Sequence, residues 1–296
     1  MAMAQMQSVT PYEDATPLLN NPAALQQRAA EQGYLFFKGL LPSQPILHLR
    51  RLILDRCQAR DWLAADSETM DGIPREGFSI VEGNDPEWLA LYREILAMRD
   101  FHALAMHPAI LGALTTLFGE QAIAHSRNIA RIMFPRTEET TTPPHQDHFY
   151  IGGTQDTWTV WFPLGDCPKE LGGLAIVQGS HREGYLDVQP GRGAGGHQVQ
   201  VPEDATWAWD EMRCGDVLML HSLCIHQGRD NVSGDRLRLS VDYRYQPISH
   251  PIRRDSMEPH MGGFGESWED LYAEWPGNDP LRYFWKQWDL NYVDQE

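Results

Sequence analysis

A chain of 296 residues with 42% hydrophobic content, including ten Trp, ten Tyr and ten Phe, carries enough apolar material for a large core, which excludes a disordered protein. Its formal charge of −17, from 41 acidic against 24 basic residues, would repel a phosphate backbone, and no run of Lys or Arg offsets it, so nucleic acid is excluded as a partner. The N-terminus shows no basic segment followed by an apolar one, and no 18 apolar residues run together, so neither secretion nor membrane insertion is expected. Cys57, Cys167, Cys214 and Cys224 lie far apart, with no Cys-x-x-Cys pair, which fits reduced thiols in a cytoplasmic protein. The length suits one catalytic domain with embellishments.

Residues 1–22 are polar and carry Pro11, Pro17 and Pro22, which predicts a loose arm or lid. The mostly helical part, 23–121, begins with a helix started by Pro22 and stopped by Gly33, followed by a strand from Tyr34 to Phe37. Ile46, Leu49, Leu52 and Ile53 recur at helical spacing between Ser43 and Trp62. Met70 to Asp85 is rich in Gly, Pro and Asp and reads as a loop; Pro86–Met98 and Phe101–Phe118 return to helical spacing.

From Ala122 the texture changes to short β-branched and aromatic runs: AIAHSRNIARIMF, DTWTVWFPL, GGLAIVQGSH, DVLMLHSLCIH and RLRLSVDYRYQ. Several such runs in succession over 122–250 predict a β-sandwich or barrel, so the fold class is mainly β with flanking helices. An insertion between Gly184 and Ala205, with GRGAGG at its centre, breaks the rhythm and reads as a lid or a disordered loop. Its glycines are no phosphate cradle, because no Lys-Ser or Lys-Thr follows. The aromatic-rich extension, 251–296, contains WEDLYAEW, which reads as a helical face packed on the barrel.

The chemistry is concentrated in three places. His145 and Asp147 stand two apart, so in an extended segment both side chains project from one face and can share a metal. A third ligand is offered by His226, which closes a strand after a Gly215-Asp216 turn. Two imidazoles and one carboxylate on one side leave three positions open, the facial arrangement typical of non-haem Fe(II) oxygenases. The third place is the run DRLRLS, Asp235 to Ser240.

PHQDHFY, TWTVWFPLGD, GGLAIVQGSH, GDVLMLHSLCIHQGRDN and RLRLSVDYRY together resemble the phytanoyl-CoA dioxygenase family over residues 125–247, with a weaker likeness at EQGYLFFKGLL. The resemblance implies a double-stranded β-helix, the jelly-roll or cupin-like barrel. It also implies Fe(II), 2-oxoglutarate and O2 as cofactor and co-substrates, and release of succinate and CO2 as a small-molecule substrate is oxidised. Carried over by position, it makes His145, Asp147 and His226 the iron ligands and the catalytic centre, with a later arginine gripping the distal carboxylate of 2-oxoglutarate.

Two arginines compete for that role. Arg236 sits near the family's usual spacing from the distal His and is preferred, whereas Arg238 forms an Arg-x-Ser arrangement with Ser240. On one strand all three would face the same way. Arginine suits the task because its planar guanidinium meets a carboxylate with two parallel hydrogen bonds and stays charged when desolvated. Arg131 and Asn128, on the preceding strand, stand where the family places a second co-substrate contact. His148, His181 and His221 are expected to make local hydrogen bonds, and Trp158 and Trp161 to line or fill the barrel.

The carboxylate of Asp147 occupies the position that related halogenases leave for chloride, which points to hydroxylation, desaturation or ring formation. The rivals are a zinc or manganese hydrolase or isomerase on the same ligands, and a binding module of the same fold without activity. Substrate identity and oligomeric state are not encoded in any motif.

Overall fold

The computed structural model describes residues 8–80, 82–83, 85–135, 141–260 and 266–294. Two sheets face each other. The larger contains β2 (Tyr34–Phe37), β10 (Val217–His221), β5 (Trp158–Pro163), β12 (Arg238–Pro247) and β3 (Ala122–Ala124) in that order, and β4 (Ile129–Met133) also pairs with β12. The smaller runs β1 (Ser8–Thr10), β9 (Thr206–Ala208), β6 (Leu174–Val177), β11 (His226–Gly228). Short hairpin strands β7 (Gln189–Pro190) and β8 (His197–Gln198) stand apart, as do β13 (Ile252–Arg253) and β14 (Tyr292–Val293). The result is the expected jelly roll, with strands of both sheets enclosing one interior.

Strand alternation sorts side chains between that interior and a helical layer outside. Leu35, Phe37, Val160, Phe162, Val217 and Met219 point outward into a core shared with the helices, while Tyr34, Phe36, Trp161, Leu218 and Leu220 fill the interior with Leu174, Ile176 and Ala208. On β12 the outward set is equally apolar, Leu239, Val241, Tyr243 and Tyr245, but the inward set is Arg238, Ser240, Asp242 and Arg244. The barrel therefore has an apolar half and a polar half. Burying charged groups of this kind is costly unless they are paired or receive a ligand, which marks the polar half as the site.

The helical layer follows the sequence closely. Helix α1 (Pro22–Gln32) starts with Pro at its first position and an Asn21 side chain that accepts from the Ala24 amide, and it ends at Gly33 with φ 72°. A Cβ at Gly33 would sit 2.5 Å from Cys224 Sγ, so helix and barrel meet at a point where only glycine fits. Helix α2 (Ser43–Ala59) buries Ile46, Leu49, Ile53, Leu54 and Cys57, and α3 (Pro86–Leu96) buries Trp88, Leu91, Tyr92, Ile95 and Leu96.

Arg99–Phe118 is long and apolar enough to cross a membrane by length and composition, with a mean hydropathy of 1.4. Here it divides into α4 (Arg99–Ala105) and α5 (Pro108–Phe118) because Pro108 has no amide to continue the first helix. Tyr243 and Tyr245 of β12 reach outward to donate to the carbonyls of Phe101 and Ala105 at 2.7 Å each, fastening α4 to the sheet.

Two expectations are corrected. The described part of the N-terminal arm, from Ser8, is fastened to the barrel: β1 pairs in parallel with β9, and Tyr12 is buried beside Tyr34 and Phe36 with its hydroxyl donating to the Leu174 carbonyl. Prolines stop helices but tolerate an edge strand, and Val9 and Thr10 are β-branched. The insertion after Gly184 forms the β7–β8 hairpin, whose glycine turn carries Gly191, Gly193, Gly195 and Gly196. Among the described residues of the C-terminal extension, Trp268–Leu271 is the one α-helix (α6 being His148–Ile151, this is α7), beside 3-10 turns at Arg254–Met257 and Phe284–Gln287. The extension's aromatics pack as expected, and the Trp268 and Trp275 indoles donate to the carbonyls of Met257 and Ala97 at 2.7 Å.

Asn128 lies outside the polar interior: its amide donates to Nδ1 of buried His102 at 2.9 Å, while His102 Nε2 pairs with the Leu96 carbonyl at 2.8 Å. Burial pushes His102 down to about 4, the Leu96 carbonyl opposing. An unfolded His titrates near pH 6.5, so between 6.5 and about 4 the unfolded chain binds the proton first and stability falls as pH falls. The loss from this residue is roughly 2 kcal/mol by pH 4.5. A His102→Gln variant is expected to lose less stability than the parent between pH 7 and 4.5 in urea titrations; an equal loss would contradict this account.

Candidate active site

The backbone brings the three metal-ligand candidates together by a device other than simple alternation. His145 and His226 form an isolated antiparallel bridge at the edge of the smaller sheet, each donating its amide to the other's carbonyl at 2.9 and 3.0 Å. This sets the imidazoles side by side, with ring centres 4.1 Å apart. His226 opens β11 rather than closing β10, because the chain turns at Ser222–Ile225 and crosses from the larger sheet to the smaller. The HQD segment is likewise not extended throughout: Asp147 has helical dihedrals, φ −63° and ψ −27°, and caps α6.

Gln146 holds that bend. Its buried amide donates to the carbonyls of Gly184 and Leu223 at 2.8 and 2.7 Å, and its oxygen accepts from the Leu186 amide at 2.9 Å. With Gln146 pinned to one side, His145 and Asp147 turn to the other. His148 follows onto α6, away from the cavity, and its ring meets Tyr185 edge-on. His181 contacts the Ala30 carbonyl and His221 the amide of Leu223, so both make local hydrogen bonds.

His145, Asp147 and His226 are buried, and one ligand atom from each lies within 4.8 Å of the others; among the described residues this is the one His/Cys/Asp/Glu cluster so arranged. Each imidazole meets a backbone carbonyl through Nδ1, His145 that of Pro143 at 2.8 Å and His226 that of Cys224 at 3.0 Å. A carbonyl can only accept, so Nδ1 carries the proton and Nε2 offers its lone pair inward. Thr159 donates to Oδ2 of Asp147, which leaves Oδ1 facing His145 Nε2 at 3.6 Å, His226 Nε2 at 3.8 Å and the Arg244 guanidinium at 3.6 Å.

Burial alone would raise the Asp147 carboxyl, but Arg244 and the two imidazoles hold it well below the usual carboxylate range. Burial, and next the neighbouring His145, push His226 down to about 4 against the pull of Asp147. The anionic carboxylate of Asp147 and the neutral imidazole of His226 are the forms that bind a divalent cation.

These residues open onto a cavity of about 380 Å³ between the sheets. Its wall along β4 and β12 carries Arg131, Arg238, Asp242 and Arg244, with Glu82 reaching in from the loop before α3. The aromatic and aliphatic lining comes from Trp161, Leu174, Ile129, Met133, Tyr150 and Ile151. Trp158 points outward into the helix-facing core. Ala194 and Gly195 of the hairpin turn stand at the same cavity, and the Tyr150 hydroxyl donates to the Gly195 carbonyl at 3.3 Å.

Of the five residues expected around a co-substrate, the four besides Asn128 separate sharply. Arg236 precedes β12, which begins only at Arg238; it lies outside the cavity, 46% exposed, and meets Asp235 at 3.3 Å. The start of the strand therefore leaves the preferred Arg236 outside the cavity and puts Arg238 in its wall. Arg238 is buried in the cavity wall, donating to the carbonyls of Gly173 and Arg229 at 3.3 and 3.1 Å, with its Nε unpartnered. Ser240, two residues on and fully buried, also has no partner for its hydroxyl. Arg131 lines the cavity but is occupied by Glu82 at 2.5 Å and Asp242 at 3.5 Å, which hold its charge against burial. Arg244, Asp242, Glu82, Thr159 and Gln146 were not singled out in the sequence, although the alternation Arg238, Ser240, Asp242, Arg244 in RLRLSVDYRYQ was there to be read.

Residues 30–239 match the phytanoyl-CoA dioxygenase (PhyH) family. The chain belongs to the phytanoyl-CoA dioxygenase family. As a phytanoyl-CoA dioxygenase family member it is a non-haem iron oxygenase using Fe(II), 2-oxoglutarate and O2.

Two curated relatives are each called 1-deoxypentalenic acid 11-beta-hydroxylase. The one from Streptomyces arenae is 31% identical over 256 residues, covering 80% of this chain and 86% of that protein. The one from Streptomyces exfoliatus is 29% identical over 260 residues, covering 82% and 87%. Solved structures share the family fold. The epimerase SnoN, in complex with Fe3+, alpha ketoglutarate and nogalamycin RO, superposes with a TM-score of 0.55 at 22% identity, covering 88% of this chain and 94% of that one. The carbocyclase SnoK from nogalamycin biosynthesis gives 0.55 at 18% identity, covering 83% and 91%.

Proposed function

We propose that His145, Asp147 and His226 hold iron(II), that Arg238 and Ser240 receive the distal carboxylate of 2-oxoglutarate, and that the enzyme hydroxylates an unactivated carbon of a small natural-product intermediate. Succinate and CO2 leave as co-products. The single observation that carries this reading is the conjunction of an inward-facing two-His, one-carboxylate cluster with Arg238 on the same cavity wall, its Nε without a partner, and Ser240 buried two residues along the same strand, its hydroxyl also without one. A buried guanidinium nitrogen and hydroxyl without partners are expected where a carboxylate docks, and a plain zinc or manganese hydrolase has no use for them.

When bound, iron with 2-oxoglutarate supplies the oxidising power for the C–H bond, and the protein contributes ligands, orientation and shelter. Thr159 ties down Oδ2 of Asp147, so one oxygen is presented to the metal. The Pro143 and Cys224 carbonyls fix both imidazole tautomers. Trp161, Leu174 and Met133 keep water from the working end of the cavity. Arg131, already paired, acts as wall rather than as a co-substrate contact.

The relatives' names support hydroxylation, and Asp147, as the carboxylate that would hold the metal, would leave no place for a halide. Strands β1 and β2, from the N-terminal part, complete one sheet each, which supports reading the chain as a single catalytic domain. The test is a screen of natural-product intermediates, beginning with 1-deoxypentalenic acid, read by succinate release in the presence of Fe(II), 2-oxoglutarate and O2. Succinate release that rises with one compound is the expected result. Metal-dependent hydrolysis or isomerisation without oxygen consumption would refute the proposal.

A further inference from the structure

The wall formed by β4 and β12 has two cationic ends. Arg238 pairs with Met133 at one end of the ladder, and Arg127 lies two residues before Ile129, which pairs with Asp242. Met133 and Ile129 are the two ends of an extended strand, about 13 Å apart at a strand's rise, and Arg127 lies beyond Ile129 in a tight turn where the Asn128 amide donates to the Ser126 carbonyl at 3.0 Å. A five-carbon diacid bound at Arg238 and the metal cannot reach both ends. The Arg127 end is therefore a second subsite, lined also by Ile129, Ile151, Ser256, His125 and His260.

The charge on Arg127 is largely unspent. Its side chain is 28% exposed, and its Nε is enclosed without a hydrogen-bond partner. Its ion pair with Asp255 is long, 3.7 Å, and Asp255 already accepts two hydrogen bonds from Arg253, at 2.5 and 2.8 Å. Arg131 shows what a satisfied arginine looks like in this cavity, held between Glu82 and Asp242. The two histidines nearby do not balance Arg127. His125 pairs with Gln246 and His260 with the Tyr92 hydroxyl, and burial keeps both neutral near pH 7.

We propose that Arg127 anchors the substrate through a carboxylate, so that the enzyme takes organic acids whose apolar skeleton lies along Ile129 and Ile151 towards the metal cluster. This rests on the oxygenase reading given above. One arginine with a free Nε edge suits a monoanionic, planar group that accepts two parallel hydrogen bonds; a neutral amide would leave the guanidinium without its counter-charge. Anchoring one end of a rigid skeleton also fixes which carbon faces the metal, so Arg127 sets position as well as affinity.

The test pairs fused-ring aliphatic carboxylic acids with their primary amides, titrated by calorimetry into the wild-type protein and into Arg127→Gln and Arg127→Lys, and then assayed for stimulated succinate release. Acids are expected to bind and stimulate about 100-fold better than the matched amides, because the amide keeps an accepting oxygen but brings no counter-charge to the guanidinium. Arg127→Gln is expected to lose that advantage, and Arg127→Lys to regain part of it. The KM for 2-oxoglutarate should stay unchanged in both variants. Acids no better than amides in the wild type, or acid binding undiminished in Arg127→Gln, would overturn the assignment. A wild-type protein that takes up no iron and 2-oxoglutarate would instead strike at the oxygenase reading itself.

Discussion

Asp147→Ala and His226→Ala are each expected to lower turnover by roughly a thousandfold or more, equivalent to about 4 kcal/mol on the barrier. Asp147 brings the one carboxylate oxygen that converges with both Nε2 atoms, and Thr159 occupies the other oxygen, so no neighbouring acid can substitute. The two variants should differ in stability. Asp147→Ala leaves the Arg244 guanidinium without the carboxylate it faces at 3.6 Å, whereas His226→Ala removes a neutral ring and strands no charge. Thermal denaturation should therefore show the larger drop for Asp147→Ala, while both variants remain folded and inactive. Near-normal turnover in either would refute the ligand assignment.

The second large effect is expected at Arg238. Replacing it with Met keeps much of the volume but removes the buried cation, and a charge-assisted pair with a carboxylate is worth about 2–3 kcal/mol. The KM for 2-oxoglutarate should rise by about 30- to 150-fold, with little change in the KM for the oxidised substrate. Arg236→Met is the internal control: that side chain is exposed and pairs with its neighbour Asp235, so its effect should stay within about twofold. A larger effect at Arg236 than at Arg238 would show that the co-substrate binds elsewhere.

The two arginines also show where sequence reading stops. Period-2 alternation put Arg236, Arg238 and Ser240 in one set, which holds for Arg238 and Ser240 but not for Arg236, because alternation could not say where the strand begins, and boundaries depend on pairing partners far along the chain. Met133, the partner of Arg238, is such a residue. Helix ends were more legible: Pro22 and Gly33 bound α1 through local backbone chemistry alone. The triad was legible as residue types, while its geometry depends on the reciprocal His145–His226 bridge and the Gln146 anchor, both long-range. The same holds for β1, an edge strand whose partner β9 lies nearly two hundred residues on, past the span of any local periodicity.

What the pattern did contain, unread, was the polar half of the barrel. RLRLSVDYRYQ alternates polar and apolar positions, and from Arg238 on it is a strand buried along nearly its whole length; Arg238, Asp242 and Arg244 of its polar set line the cavity and Ser240 is buried between them on the same face, while Arg236 and Gln246 lie outside the cavity. A fully buried strand with a polar face is a sequence signature of a ligand cavity, because no solvent is available to satisfy it.

The most direct measurement is an anaerobic titration of the metal-free protein with Fe(II) in the presence of 2-oxoglutarate, followed by visible absorption. One iron per chain and a metal-to-ligand charge-transfer band that is absent in His226→Ala is the predicted result. No band in the wild-type protein, or an undiminished band in His226→Ala, would contradict an iron–2-oxoglutarate centre on His145, Asp147 and His226.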